Sequence, residues 1–268
     1  MWPGAISNPR GKVRQPRQFA RGRALALFLF LVFASCSDWA FAEDPNPLRI
    51  HCLSGSKEYQ SEPSLKILIA ELERRYRGIT CTASWGKDKG NSLDNLEALR
   101  KADLMIVFCR RQNLPEEQMA IIRSHHESGK PVLGIRTASH PFQGKDNEHF
   151  DRVVLGNNYD GHYGNDSFEV KAVEGQKDHP VLRKVGPFKS RRLYKARKLA
   201  PATIVLQTGD IGKGAHPLTI LHVYKKGRTF YTSLGVPEDF KDPNFLQLLR
   251  NAVFWTTARE EKAYRKAP

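Results

Sequence analysis

The stretch Gly129–His140, with the sequence GKPVLGIRTASH, indicates the fold of this chain. Its apolar part, Pro131 to Ile135, has the length and composition of a short strand. A sharp polar turn follows at Arg136–His140. In open α/β sheets, ligands bind beyond the carboxyl ends of the strands. This turn is therefore a candidate part of a functional site.

The residues before this stretch alternate apolar runs with helical patterns. Strands are predicted at Leu48–Leu53, Ile79–Ser84, Leu104–Cys109 and Pro131–Ile135, and helices at Leu65–Tyr76, Leu93–Lys101 and Pro115–Ser128. Helices of this kind carry apolar side chains every three or four residues, as between Leu65, Leu68 and Leu72. A β-α-β-α-β-α-β order predicts an α/β fold with a doubly wound, mostly parallel sheet.

The rhythm changes after Phe150. Strands are predicted at Ser167–Val173, Ala202–Leu206, Leu218–Tyr224 and Thr229–Leu234, with a hairpin turn at Lys225-Lys226-Gly227 and a last helix at Asn244–Thr257. Turns rather than helices separate most of these strands, which is typical of antiparallel pairing. We therefore expect extra antiparallel strands in the C-terminal half.

The N-terminal segment has the features of a secretory signal peptide. Residues 1–23 contain six basic residues and no acidic one. The apolar run Ala24–Ala34 is shorter than the roughly 20 residues that span a bilayer. Ala40-Phe41-Ala42 is a small-x-small cleavage pattern. We predict a signal peptide over residues 1–42 and a mature domain over 43–268, periplasmic or secreted and without stable membrane insertion. The alternatives are an uncleaved anchor and a lipoprotein at Cys36.

The charge of the chain is strongly positive. Cleavage after Ala42 removes six basic residues and one acidic residue, so the formal net charge falls from +15 to +10. A basic protein suggests a nucleic-acid partner, but export argues against one. An anionic small molecule, a glycan or an anionic envelope surface fits the predicted compartment better. A solvated basic surface without any partner is the remaining alternative.

Three cysteines remain after the predicted cleavage: Cys52, Cys81 and Cys109. An odd count leaves at least one free thiol. Cys52 and Cys81 fall on predicted neighbouring strands, so both a disulfide and buried reduced thiols are compatible with the sequence. Cys109 precedes two arginines, which lower the pKa of a neighbouring thiol. It ends a different strand from the polar turn, so we do not expect it to be a nucleophile.

Several segments resemble the ThuA-like family, named for a trehalose-utilisation protein. They are SGSKEY at 54–59, GKPVLGIRTASH at 129–140, GNNYDGHYG at 156–164, KDHPVLRKV at 177–185, AHPLTILHVYKKGRTFYTSLGVPEDF at 215–240 and FLQLLRNAVFWTT at 245–257. The resemblance covers nearly all of residues 48–257. It implies a flavodoxin-like domain related to the class I glutamine amidotransferases and a role in carbohydrate metabolism.

The resemblance also has departures. Amidotransferases of this type place a nucleophilic cysteine at the turn in a G-x-C-x-G-x-Q pattern; here Arg136 stands at the cysteine and His140 at the glutamine. Family members commonly read G-I-H there, D-E-x-Y near the middle and S-L-G-H late. This chain has Gly134-Ile135-Arg136, Arg191-Arg192-Leu193-Tyr194 and Ser233-Leu234-Gly235-Val236. Because the nucleophile is missing, we expect no amidotransfer.

Candidate site residues lie in loops that should converge at the carboxyl ends of the strands. Glu58 and His140 are the acid/base candidates, since a crowded carboxylate and an imidazole can both move protons. Arginine side chains bind oxyanions through two parallel hydrogen bonds. The predicted substrate-binding residues are Tyr59, Arg110, Arg111, Arg136, His162, Ser233 and Glu238.

No short metal motif, G-x-G-x-x-G or Walker sequence is present, so no metal or nucleotide cofactor is expected. A divalent ion held by Glu58, His140 and Asp160 is the weaker alternative. The leading hypothesis is an exported ThuA-like protein that acts on a carbohydrate or sugar derivative, including anionic ones. The rival is a non-catalytic glycan-binding module, and nucleic-acid binding ranks last. The oligomeric state is left open.

Overall fold

The computed structural model describes residues 46–266. The predicted signal peptide and its cleavage position after Ala42 therefore lie outside the described residues. Within the described part of the chain, none of the helices combines the length and the apolar character needed to cross a bilayer.

The described residues form thirteen β-strands and five α-helices. The strands are β1 (Leu48–Gly55), β2 (Ile79–Lys87), β3 (Ser92–Leu93), β4 (Leu104–Cys109), β5 (Val132–Ile135), β6 (Tyr159–His162), β7 (Ser167–Glu169), β8 (Lys171–Ala172), β9 (Lys189–Arg191), β10 (Tyr194–Ala196), β11 (Ile204–Gly209), β12 (His216–Tyr224) and β13 (Gly227–Thr232). The helices are α1 (Ser61–Arg75), α2 (Glu116–Glu127), α3 (Gly144–His149), α4 (Pro243–Thr256) and α5 (Glu261–Tyr264).

Nine of these strands form one mixed sheet in the order β3-β2-β1-β4-β5-β13-β12-β11-β8. The central strands β2, β1, β4, β5 and β13 are parallel to one another. Strands β12, β11 and β8 then continue the sheet in antiparallel fashion. The prediction of a doubly wound, flavodoxin-like sheet with extra antiparallel strands in the C-terminal half is confirmed.

Helices cover both faces of the sheet because its central strands are buried on both sides. All six residues of β4 are buried, and successive side chains of a strand point to opposite faces. Phe108 belongs to the same buried cluster as Leu68 of α1 and Phe245 of α4, whereas Val107 belongs to a second cluster with Ile122 of α2. Each such buried side chain stabilises the fold by about 1.5–3 kcal/mol.

The last large helix begins where its sequence predicts. Asp242 caps α4, since its side chain accepts a hydrogen bond from the backbone N–H of Asn244 at 2.7 Å. Pro243 occupies the first helical position, where its missing N–H costs nothing. The predicted span was Asn244–Thr257, one residue later at each end.

Some predicted elements differ from the structure. The predicted helix Leu93–Lys101 is a short 3-10 helix, Leu96–Lys101, that follows β3. The predicted strand Ser167–Val173 is divided, because β7 pairs with β9 in a small separate sheet while β8 joins β11 in the main sheet. The prediction lacks strands β3, β6, β9 and β10 and helices α3 and α5.

The three described cysteines are free thiols. In the β1–β2 register Cys52 lies opposite Ala83 and Cys81 opposite Ile50, so the two cysteines are diagonal neighbours. Burial raises the pKa of Cys52 to about 12 and also raises the pKa of Cys81 and of Cys109. Protonated, buried thiols are poor nucleophiles, which agrees with the expectation that Cys109 is not catalytic.

Candidate functional site

Four loops meet at the carboxyl ends of β1, β4, β5 and β13. The backbone N–H of Arg110, after β4, donates to the carbonyl of Gly55 at the end of β1 (3.1 Å). The N–H of Arg111 donates to the carbonyl of His140, in the loop after β5 (2.8 Å). The expected convergence of the loops at this edge is therefore present, and backbone hydrogen bonds hold it together.

The turn after β5 is sharp and strained. Arg136 begins a short 3-10 helix, Arg136–Ser139, with a φ of 53°, a left-handed conformation that costs energy for any residue except glycine. Its carbonyl accepts a hydrogen bond from the hydroxyl of Tyr231 on β13 at 3.0 Å. The elbow conformation thus persists although no cysteine stands there.

The side chain of Arg136 is completely buried. Its guanidinium carbon lies 4.7 Å from the ring centre of Tyr59 and 3.9 Å from that of Tyr194. The guanidinium donates to the carbonyls of Ser233 and Arg192, the latter at 2.8 Å, and to the Tyr59 hydroxyl at 3.4 Å. This placement corrects the prediction that Arg136 contacts the ligand, because two tyrosine rings enclose the guanidinium.

A cavity of about 520 Å³ opens at this edge of the sheet. Six of the nine predicted site residues line it: Glu58, Tyr59, Arg110, Arg111, His140 and His162. Residues outside that predicted set complete the wall: Tyr159, Asp160, Gly161, Tyr194 and Lys195.

Two further predicted residues do not line this cavity. Ser233 is buried behind Arg136, whose guanidinium bonds to its carbonyl. Glu238 is more than half exposed and forms an ion pair with Arg191 instead. Ser233 therefore lies beneath the wall of the cavity, whereas Glu238 is on the protein surface outside it.

Most charged side chains of the cavity wall are in ion pairs, and the remaining ones are positive. Glu58 forms ion pairs with Arg110 at 3.0 Å and Arg192 at 3.7 Å. Asp160 pairs with Arg197 at 2.9 Å, and this hydrogen bond lowers the pKa of Asp160. Arg111 and Lys195 also line the cavity, and neither is in an ion pair with any other described residue.

These pairings bear on the metal alternative. Both carboxylates of the Glu58, His140 and Asp160 set are in contact with arginine guanidiniums. Across residues 46–266 there is no group of three or more His, Cys, Asp or Glu side chains that could hold a metal ion. The alternative of a divalent site is not supported by this geometry.

His140 is buried among aromatic and polar neighbours. Its Nδ1 contacts the hydroxyl of Ser139 at 3.0 Å, and its ring stacks on Tyr159 with 4.4 Å between centres. Burial, assisted by Arg110 and other nearby cations, lowers its pKa to about 3. This shift favours the neutral imidazole, and the assignment of His140 as an acid/base residue stays a prediction.

The sequence analysis did not identify Tyr159 and Tyr194 as residues of the cavity wall. These tyrosines lie on β6 and β10, which pair with each other as a two-stranded sheet beside the cavity. Asp160, Gly161 and His162, which follow Tyr159 in β6, also line the wall. The sequence did contain one signal for them: Tyr159 and Tyr194 are each an aromatic residue in a short polar segment.

The sheet order and the sharp turn after β5 define a flavodoxin-like α/β protein that carries Arg136 at this turn. A sequence model of the ThuA family, described as trehalose utilisation, matches residues 49–256. The chain therefore belongs to the ThuA family.

Solved structures of similar fold include a protein described as ThuA-like from Bacteroides uniformis, with a TM-score of 0.62 and 16% identity over 83% of this chain and 96% of that one. A ThuA-like protein from Parabacteroides merdae gives 0.59 and 17% over 83% and 93%. The carbohydrate deacetylase Agd3 gives 0.50 and 12% over 79% of this chain and 32% of that one. These likenesses show the fold alone. The comparison with curated protein sequences found no match.

Proposed function

We propose that this ThuA-family protein binds a sugar derivative that carries an anionic group, in the cavity at the carboxyl ends of the strands. The family description, trehalose utilisation, supports a sugar-related role. The observation that carries the anionic part is the pair of cations, Arg111 and Lys195, that line the cavity outside the ion pairs of the described residues.

The rest of the wall suits a sugar ring. Tyr159 is partly exposed and offers aromatic surface, with the buried rings of Tyr59 and Tyr194 behind it. A volume of about 520 Å³ is within the usual range for small-molecule sites. Tyrosine combines an apolar ring with a hydroxyl that can form a hydrogen bond. Apolar C–H faces of a sugar can pack on such rings while its hydroxyls reach the polar groups between them.

Glu58 competes with an anionic ligand in this arrangement. Its carboxylate already forms ion pairs with Arg110 and Arg192, which an anionic ligand would have to share or displace. Amidotransfer is not part of the proposal, because Arg136 replaces the cysteine at the elbow. The proposal covers both an enzyme acting on the bound sugar and a non-catalytic glycan-binding module; product analysis after incubation with a bound sugar distinguishes these two outcomes.

The test is calorimetric titration of the full chain with glucuronate, galacturonate, sulfated glucose, glucose and trehalose. We expect the anionic sugars to bind more tightly than the neutral ones. Arg111→Ala should weaken that binding about tenfold, as expected for one charge-assisted hydrogen bond, and Glu58→Gln should strengthen it. Arg100→Ala, an exposed arginine paired with Glu97 before β4, is the matched control. Equal binding of neutral and anionic sugars would contradict the anionic assignment.

Export is part of the same proposal. It is supported by the basic N-terminus, the short apolar run Ala24–Ala34 and the small residues before Glu43. N-terminal sequencing of the protein from fractionated cells should find a chain that begins at Glu43 outside the cytoplasm. A cytoplasmic chain that still begins at Met1 would overturn it.

A further inference from the structure

A second concave region lies at the edge of the sheet opposite the candidate cavity. Asp103 precedes β4, Pro131 precedes β5 and Gly227 begins β13, and these residues line a cavity of about 250 Å³. Strands β4, β5 and β13 are parallel, so their first residues lie at one edge of the sheet. This cavity therefore opens at the amino ends of the strands, whereas the candidate cavity opens at their carboxyl ends.

This cavity adjoins a larger one of about 700 Å³. The two have three lining residues in common: Arg228, Ala258 and Arg259. One wall of the larger cavity comes from α4 and another from the loop at Arg183. Asn251 of α4 donates to the carbonyl of Arg183 at 2.7 Å, which holds that loop against the helix. We call the two cavities together the amino-end groove.

Positive side chains predominate among the charged residues that line the amino-end groove. The basic residues are Arg183, Lys184, Lys226, Arg228, Arg259, Lys262 and Arg265, and the acidic residues are Asp103, Glu260 and Glu261. Seven basic side chains against three carboxylates give the groove a formal excess of four positive charges. Cations that line one concave surface reinforce each other's field and attract anions.

Ion pairs within the groove neutralise only part of this charge. Glu261 pairs with Arg183 at 3.4 Å and with Arg265 at 3.1 Å. Glu260 pairs with Lys262 at 2.9 Å. The remaining four cations form no ion pair with any other residue in the described part of the chain: Lys184, Lys226, Arg228 and Arg259. These four are therefore available to an external anion.

Two of these four cations are held in fixed positions. Nη1 of Arg228 donates to the carbonyl of Trp255 at 2.8 Å. Nη1 of Arg259 donates to the carbonyl of Asn46 at 2.7 Å and to the hydroxyl of Tyr264 at 2.6 Å. Side chains that are already ordered lose less conformational freedom when a ligand binds. The groove is therefore partly preorganised for an anion.

Trp255 gives the groove an aromatic surface. Its side chain is partly exposed and lines the larger cavity. The guanidinium carbon of Arg228 lies 5.1 Å from the centre of the Trp255 ring, and the ring of His179 lies 5.7 Å from it. A partly exposed ring beside cations suits a sugar residue that carries an acidic group, because the apolar C–H face of the sugar can pack on the ring.

The shape and the aromatic content of the groove favour one class of polyanion. Single-stranded nucleic acids are bound by stacking successive bases on several aromatic side chains. Trp255 is the only partly exposed aromatic residue among those that line the amino-end groove, so a row of stacked bases has no platform there. A bilayer is a broad surface, whereas these cations line a recess. A linear chain of acidic sugars fits both the recess and the single ring.

We propose that the amino-end groove binds a linear acidic polysaccharide. Its carboxylate or sulfate groups contact Lys184, Lys226, Arg228 and Arg259, and one of its sugar rings packs on Trp255. Binding is non-covalent and takes place at the opposite edge of the sheet from the candidate cavity. The inference therefore does not depend on the proposed function of that cavity.

The first test is calorimetric titration of the full chain with oligogalacturonates, sulfated dextran oligomers and neutral maltooligosaccharides of the same length. We expect the two acidic polymers to bind, with an affinity that falls as the salt concentration rises, and the neutral one not to bind. A preference between the two acidic polymers identifies carboxylate or sulfate as the group recognised.

Charge-reversal variants locate the binding. Lys184 lines only the larger cavity and Lys226 only the smaller one. Lys184→Glu and Lys226→Glu should each weaken polymer binding about tenfold, as expected for one charge-assisted contact. Lys145→Glu is the matched control, since Lys145 is exposed on α3 and lines neither cavity. Equal weakening in all three variants would mean that only the total charge matters and would overturn the proposal.

The second test uses tryptophan fluorescence. The chain has four tryptophans. Binding of oligogalacturonate should change the emission, and the change should disappear in Trp255→Phe. It should remain in Trp85→Phe, because Trp85 is also partly exposed but lies outside the groove. Survival of the change in Trp255→Phe would show that the sugar does not contact this ring and would overturn the assignment.

Two further arms separate this inference from its rivals. Tighter binding of single-stranded DNA, or of phosphatidylglycerol vesicles, with the same loss in Lys184→Glu and Lys226→Glu, would show that the partner is not a polysaccharide. Binding of monomeric glucuronate in the candidate cavity should be the same in these two variants as in the wild type. Loss of glucuronate binding in both would show that the groove and the candidate cavity are not separate sites.

Discussion

Replacing Arg136 with methionine measures what a buried guanidinium contributes to the stability of this fold. Methionine has a similar length and fills much of the same space without charge or donors. The variant leaves the carbonyls of Ser233 and Arg192 buried without this donor and removes both contacts with Tyr59 and Tyr194. It also removes the cost of keeping a cation out of water.

These effects oppose each other, so their magnitudes decide the sign. Two buried carbonyls without a partner cost about 1–3 kcal/mol each. Two desolvated contacts between a cation and an aromatic ring lose roughly 2 kcal/mol each. Removal of the buried charge restores several kcal/mol of stability, because a cation no longer has to be kept out of water. We expect Arg136→Met to lower the free energy of unfolding by about 4 kcal/mol, or the melting temperature by about 10 °C.

The assay is urea unfolding followed by circular dichroism, with Arg100→Met as the control. Arg100 is exposed and pairs with Glu97 one turn away, so its loss should change stability by less than about 0.5 kcal/mol. An Arg136→Met chain as stable as the wild type would refute the reasoning. In that case the free-energy cost of burying the guanidinium equals the stabilisation from all of its contacts. Arg136 then makes no net contribution to the stability of the fold.

Two further predictions concern stability. Burial raises the pKa of Asp239 from 3.8 to about 6, so the folded chain holds this proton more tightly than the unfolded chain. The contribution of Asp239 to stability is fully present below pH 4 and falls by up to about 3 kcal/mol as the pH rises past 6. Asp239→Asn should flatten that decline in urea unfolding. An unchanged dependence of stability on pH would exclude Asp239 as its source. A Cβ at Gly156, where φ is +70°, would lie 2.6 Å from both His222 and Thr203, whereas Gly212, at +83°, has open space around it. We expect Gly156→Ala to lose about 3 kcal/mol and Gly212→Ala about 1 kcal/mol in thermal unfolding; equal losses would show that backbone strain alone decides both.

The main sheet could be predicted because its central strands are recognisable as apolar runs in the sequence. Leu104–Cys109 is apolar throughout, and the structure forms β4 over the same residues. Strands β6 and β10 have no such pattern, since YDGH and YKA are short and mixed in polarity. Their pairing depends on partners about thirty residues apart, and contacts of that range are not encoded in local periodicity.

Topology also explains why the sequence could bring the loops of the candidate cavity to one edge while it could not place the side chain of Arg136. The carboxyl ends of parallel strands must lie at one edge, so Glu58, Arg110 and His140 could be brought together from the sequence alone. The direction of a side chain depends instead on its rotamer and on what surrounds it. Arg136 has a left-handed backbone at the elbow, and Tyr194, which encloses it, comes from a strand that local patterns did not indicate. Because the arginine is buried there, the elbow cannot offer a nucleophile to a ligand; what it can offer is a fixed positive charge beneath Tyr59.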